Sequence, residues 1–380
     1  MKKVIPMIAL IIFGIIIFLF FLFYDIINGK EWSLYTLEII GIMVGMILFI
    51  SGSLFLVIHL NEIRIKKIQG IKILYLYLIV IIFLTGSISG LGGYLVKYFQ
   101  DTDEDLEYKI GVYLMEKDDL FNIKEYGENP AITRESVDDI EAGFVADPFL
   151  VKYNQEYLIF YEVWNLDTQQ GDISYSSSKD GKTWNYEGKV FDFDTHLAYP
   201  LVFEWNGTFY IMLDEGENRV SLFEAVDFPT KWERASVILE GDTFADSTIF
   251  HYNGTWYIFT SVTGATNLRL FYSDDLLGPY NEHPMSPILE EEPDYSRPGG
   301  RVQYLDGELI RIAQDNYPNY GMQLWGFRIL ELSKTTYEEE LIDEKPILQG
   351  YENWNWGGVH QMDLVEFDDD NYLVCIDGKS

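Results

Sequence analysis

The sequence predicts an all-β five-bladed β-propeller preceded by three transmembrane α-helices. Three observations predict this. Long uncharged apolar runs fill the first hundred residues. A strand–turn–strand pattern recurs five times in the remainder. Few stretches of that remainder carry helical periodicity.

The apolar runs come first along the chain. Val4 to Tyr24 is 21 residues without a charge, Ile39 to Leu60 is 22 with only His59 ionisable, and Ile73 to Val96 is 24 without a charge. Each exceeds the ~20 residues that cross ~30 Å of hydrocarbon as a helix. The first run is too long for a signal peptide, and no small-residue cleavage site follows it. Basic residues orient the spans. Lys2 and Lys3 precede the first, and Arg64, Lys66, Lys67 and Lys72 lie between the second and third. The N-terminus is therefore expected in the cytoplasm and everything after the third span outside it. No Asp, Glu, Lys or Arg lies within the spans, so anchoring is the expected role. Residues 1–100 form this membrane part, 101–106 an acidic linker and 107–380 the propeller.

The two parts differ in charge. Residues 101–380 hold 19 Lys and Arg against 56 Asp and Glu, a net of −37, whereas residues 1–100 carry a net of +4. A domain this acidic does not bind nucleic-acid phosphates through bulk charge. One cysteine, Cys375, excludes an intramolecular disulfide framework and a thiolate metal cluster. No HExxH, P-loop or dinucleotide-binding motif occurs, and no cofactor is expected.

The repeat defines the blades. Compare "ADPFLVKYNQEYLIFYE" (146–162), "AYPLVFEWNGTFYIMLDE" (198–215) and "ADSTIFHYNGTWYIFTS" (245–261). Each sets a residue pair before an apolar strand, a turn at Asn154, Asn206 or Asn253, and a second aromatic-rich strand. Looser copies are "RPGGRVQYLDGELIRIAQD" (297–315) and "HQMDLVEFDDDNYLVCIDG" (360–378). The turns are 52, 47, 53 and 63 residues apart, and further strand signals follow the first four copies. Units of about four strands in about 50 residues fit propeller blades. "EYKIGVYLMEKDDLF" (107–121) offers a strand to close the ring on the last blade.

Residues entering the innermost strands of a propeller converge on one channel mouth. By register these are Asp147, Tyr199, Asp246, Arg297 and His360 or Asp363. Glu162, Glu215 and Asp315 end the second strands of blades 1, 2 and 4 and return to the same mouth. Two facing carboxylates with an arginine and a histidine make a polar pocket.

These segments, roughly Glu141 to Gly378, resemble the N-terminal domain of the glucosamine inositolphosphorylceramide transferases. More distantly they resemble the five-bladed glycoside hydrolases of families 43, 32 and 117. That resemblance implies a glycan or glycolipid substrate, Asp147 as the general base that activates water, and Asp246 as the residue that tunes the acid and orients substrate. It also implies a blade 4 glutamate as general acid, where this chain has Arg297-Pro298-Gly299-Gly300. Glu215 is the first substitute for that donor and His360 the second. Arg297 is read as a clamp on substrate, and Tyr199, Glu162, Asp315, His360 and Asp363 as further substrate-binding residues. Some relatives hold a calcium in the channel, which His360 or the acidic rim would support. Two readings stay open: a membrane-anchored, extracytoplasmic hydrolase, or a non-catalytic carbohydrate-binding or cell-surface interaction propeller.

Overall fold

The computed structural model describes residues 107–380, apart from 192, 217, 263, 265 and 318. The three apolar runs and the acidic linker lie outside the described residues. Among the described residues, no helix is long and apolar enough to cross a membrane.

Five antiparallel sheets form the blades. Blade 1 runs Ala142–Tyr153, Glu156–Asn165, Gln170–Ser178 and Asn185–Phe191 from the axis outwards. Blade 2 runs Leu197–Trp205, Thr208–Glu215, Arg219–Asp227 and Lys231–Glu240. Blade 3 runs Phe244–Tyr252, Thr255–Val262, Asn267–Ser273 and Asn281–Glu282. The innermost hairpins turn where the sequence places them. Asn154, Asn206, Asn253 and Asp306 all take φ near +50°, between 48° and 52°. Asn and Asp tolerate that left-handed conformation, and Asn-Gly or Asp-Gly pairs favour tight hairpins.

Blade 4 departs from the pattern. Its innermost strand is broken into Arg297–Pro298 and Gln303–Leu305, both paired with Glu308–Gln314. Pro298 brings no N–H to the ladder. Gly300, at φ +145°, passes so close to blade 5 that a Cβ there would lie 2.0 Å from the Met362 carbonyl oxygen. The blade continues through Gln323–Leu332 to Tyr337–Leu341 and Leu348–Gln349.

Blade 5 joins the two ends of the described chain. Met362–Glu366 and Asn371–Lys379 supply its inner strands, and Tyr108–Glu116 and Ile123–Glu125 its outer ones. Nine residue pairs, from Tyr108 with Lys379 to Glu116 with Asn371, zip the seam. Apolar clusters then run round the ring. Phe149, Leu201 and Ile249 join blades 1 to 3, Phe259 and Leu309 join blades 3 and 4, Leu324 and Val374 join 4 and 5, and Ile159 and Leu373 join 5 and 1. Burying these faces between blades is the main force that fixes the ring.

Candidate active site

The backbone prepares the mouth before any side chain does. Asp147, Tyr199 and Asp246 share one left-handed conformation, with φ of 54°, 53° and 55°. Each lies in a β-bulge of its innermost strand, between Ala146 and Phe149, Ala198 and Leu201, and Ala245 and Thr248. A bulge re-aims its side chain. Left-handed backbone at a non-glycine residue costs about 1–3 kcal/mol and collects at functional sites.

Asp246 is held by two neighbours, Arg297 and Gln314. Arg297 grips it at two points, Nε to Oδ2 at 2.6 Å and Nη2 to Oδ1 at 3.1 Å, and Gln314 Nε2 also donates to Oδ2. The guanidinium lies 4.8 Å from the Tyr320 ring centroid.

Asp147 sits in a second group. Its backbone N–H donates to Asp377 Oδ2 at 2.9 Å, and the other Asp377 oxygen meets His360 Nδ1 at 2.7 Å. His360 Nε2 then stands 3.4 Å from Asp147 Oδ1. Burial lifts the Asp147 carboxyl to about 7; the His360 charge opposes this, and Asp246 and Asp377 add to it. Burial opposes protonation of His360, but Asp377 and Asp147 outweigh it, and its pKa is raised. Glu162 is raised well above the carboxylate range by burial, by Asp147 and by Asp246. Gly171 makes room for it, since a Cβ there would lie 2.5 Å from Glu162 Oε1.

A cavity of about 610 Å³ adjoins the Asp246–Arg297 pair, with His196, Asp214, Ser261 and Tyr320 also on its walls. That volume suits a small sugar. Asp147, His360 and Asp377 bring possible ligand atoms within 4.8 Å of one another. They do not fit the calcium that the resemblance allowed, which takes six to eight oxygens. The trio offers an imidazole nitrogen, and the Asp377 carboxylate already bonds to that ring and to the Asp147 and Gln361 amides.

The structure brings Asp147, Asp246, Arg297, Glu162 and His360 together and sends four other expected residues elsewhere. Glu215 does not face this cavity. It accepts hydrogen bonds from Arg219 at 3.1 Å, Arg234 at 2.7 Å and Ser221 at 2.6 Å, and lines two neighbouring hollows of about 540 and 440 Å³ instead. Asp315 accepts from Gln323, Trp325 and the Tyr317 amide within blade 4. Asp363, fully buried, takes the Arg301 guanidinium, Gln303 and the Leu150 amide, tying blades 5, 4 and 1, while Arg301 also reaches the Val202 carbonyl of blade 2. Tyr199 is fully buried, its hydroxyl 3.3 Å from Thr248 Oγ1. It packs edge-on to Phe149 rather than opening to the cavity.

The reason for the Glu215 and Asp315 corrections is strand parity. Asp214 lies opposite Ala198 just as Glu162 lies opposite Ala146 and Ser261 opposite Ala245. A shift of one residue along a strand turns the side chain to the other face. Counting eight residues from each turn gives Glu162, Asp214, Ser261, Gln314 and Asp377, one per blade. The turn spacing could have found Asp214, Gln314 and Asp377; the expectation of a strand-terminal carboxylate chose Glu215 and Asp315 beside the first two and none in blade 5.

The site lies inside a stretch, residues 126–379, that matches the family described as glucosamine inositolphosphorylceramide transferase 1, N-terminal. The chain belongs to this family. Among its relatives, glucosamine inositolphosphorylceramide transferase 1 of Arabidopsis thaliana is 34% identical over 263 residues, covering 66% of this chain and 34% of that protein. Its counterpart in Oryza sativa subsp. japonica is 30% identical over 248 residues, 62% of this chain and 33% of that one. The chain thus spans about a third of the length of the curated glucosamine inositolphosphorylceramide transferases it matches. Solved structures share the fold at low identity. A β-1,2-mannobiose phosphorylase from Listeria innocua superposes with a TM-score of 0.52 at 15% identity, over 70% of this chain and 96% of that one. A glycosyl hydrolase from Bacteroides ovatus gives 0.52 at 14%, over 66% and 90%.

Proposed function

We propose that this chain is a membrane-anchored propeller that hydrolyses a glycosidic bond in a glycan or glycolipid outside the cytoplasm, with Asp147 as general base. One observation carries the reading. Asp147 is a buried carboxylate on strained backbone, its Oδ1 has no hydrogen-bond partner, and it titrates at about 7. A base poised near neutrality is what proton abstraction from water calls for. The His360 ring, fixed by Asp377, stabilises the charged form of Asp147. The family name itself joins glucosamine to inositolphosphorylceramide, a sugar and a lipid. The apolar runs and the Lys2-Lys3 and Arg64-to-Lys72 clusters support the anchor and its orientation.

A second reading, carbohydrate binding without turnover, is favoured by one observation. Arg297 holds Asp246 in a two-point ion pair, and the adjoining blade 4 segment offers glycines where a carboxylic acid would serve. The full chain in detergent, incubated with a panel of aryl and alkyl glycosides and cell-surface glycans, separates the two. Release of sugar that Asp147→Asn abolishes supports hydrolysis. Saturable glycan binding with no release by the wild type replaces it with the binder.

A further inference from the structure

We propose that Asp214, at the end of the second strand of blade 2, is the proton donor of this hydrolysis. The assignment rests on the hydrolytic reading above.

Glycoside cleavage needs an acid on the leaving-group side of the bond as well as a base. Glu215 faces two arginines outside the cavity. His360, at 3.4 Å from Asp147, is the base's own ion-pair partner and is too close to stand across a sugar ring from it. Asp246 is clamped by Arg297. His196 lines the cavity, but its Nδ1 accepts the Gly171 N–H at 2.8 Å and burial lowers its pKa, so it is a neutral imidazole with little acid strength.

Glu162 shares a hydrogen bond with Asp147 and so stands beside the base, as His360 does. Asp214 is what remains, and its surroundings suit the task. It is 6% exposed and lines the cavity. Its Oδ2 takes the Ser247 N–H at a long 3.4 Å, and its Oδ1 takes no hydrogen bond. A buried anion so poorly solvated is unfavourable. Asp246 beside it already carries the negative charge, fixed by Arg297 and Gln314. Burial and the Asp246 charge push the Asp214 carboxyl up to about 7, with Ser247 and the Asp246 amide offsetting part of the shift. A carboxyl kept protonated at neutral pH is ready to donate.

The step balances. The Asp214 proton passes to the glycosidic oxygen as the bond from that oxygen to the anomeric carbon breaks, and the electron pair stays on the oxygen. Water bonds to the anomeric carbon and gives its proton to Asp147. The products are the free sugar and an alcohol. Asp214 is left as carboxylate and Asp147 as acid, and one proton moved through solvent restores both.

The test uses the full chain in detergent with two glycosides of whichever sugar the wild type cleaves. The methyl glycoside needs a proton on its leaving group, and the 2,4-dinitrophenyl glycoside does not. Asp214→Asn is expected to lose about 100-fold or more on the methyl glycoside and less than about 10-fold on the dinitrophenyl one. Asp147→Asn loses both alike. Asp214→Ser gives the same pattern from a smaller side chain, and thermal melts confirm that the variants fold. Equal loss on both substrates in folded Asp214 variants, or no loss on either, overturns the assignment and leaves the hydrolytic reading intact. A wild type that cleaves neither these nor any glycoside of the panel overturns both.

Discussion

Asp147 and Asp246 stand at the same bulge of innermost strands two blades apart, with backbone angles that agree to a degree, φ +54° and +55°. One is held by a histidine and the other by an arginine. The same local distortion thus aims one carboxylate raised by burial and one carboxylate clamped by a guanidinium at the channel mouth.

Asp147→Asn follows directly. Asparagine tolerates left-handed backbone and keeps the side-chain shape, so the melting temperature should stay close to that of the wild type. Hydrolysis should fall by about 100-fold or more, the usual contribution of a general base. Asp147→Val, by contrast, places a β-branched residue at positive φ and should destabilise by a further ~1–3 kcal/mol in chemical denaturation. A fully active Asp147→Asn would remove Asp147 from the mechanism.

Much of this site is legible in the sequence, and its gaps have a physical cause. The turns at Asn154, Asn206, Asn253, Asp306 and Asp369-Asp370 mark the five blades and set the register of the hairpins, so Asp147, Asp246 and Glu162 fall into place. Blade 5, shared between the two ends of the described chain, is also readable because Tyr108–Glu116 carries a strand pattern with no partner nearby in sequence. Parity at strand ends is not readable from composition: Asp214-Glu215 and Gln314-Asp315 each offer two polar residues, and only pairing shows which turns inward. Asp363 fails for another reason. A buried aspartate that holds Arg301 of the adjacent blade has the same sequence appearance as one that holds substrate.

The pH dependence of stability has a defined sign. Asp147 and Asp214 titrate at about 7 when folded against an ordinary 3.8. Between those values the native state binds protons that the unfolded chain has released, so stability falls as pH rises. The protonated-state contribution is complete below 3.8 and lost as pH passes through about 7. Glu162 and His360, both raised, act in the same direction. Melting temperatures of the full chain should therefore decline from mildly acid to neutral pH. Asp214→Asn should flatten part of that decline, whereas an unchanged slope would mean that Asp214 is ionised in the native protein.

Arg297→Gln should be among the most damaging single substitutions. It leaves Asp246, 4% exposed, without its cation. Removing one partner of a buried ion pair costs about 3–5 kcal/mol, whereas apolar replacement of both can be close to neutral. Urea denaturation should show Arg297→Leu with Asp246→Leu to be less destabilised than Arg297→Gln alone. A loss below ~1 kcal/mol for the single change would mean that the pair is solvated rather than buried.

Glu215→Gln is the control for strand parity. The substitution weakens contacts to Arg219 and Arg234, which are each about a third exposed (34% and 36%). Solvent screening keeps such a loss near ~1 kcal/mol. Because Glu215 faces away from the 610 Å³ cavity, hydrolysis should stay within about 2-fold of the wild type, a margin ordinary for changes away from a site. The neighbouring Asp214→Asn should lose the methyl glycoside while melting at or above the wild-type temperature near neutral pH, because asparagine does not pay the cost of ionising there. Parallel assays and melts of the two variants read the parity directly. If Glu215→Gln were the inactive one, the strand would present the opposite face to the substrate, and the proton donor would move to Glu215.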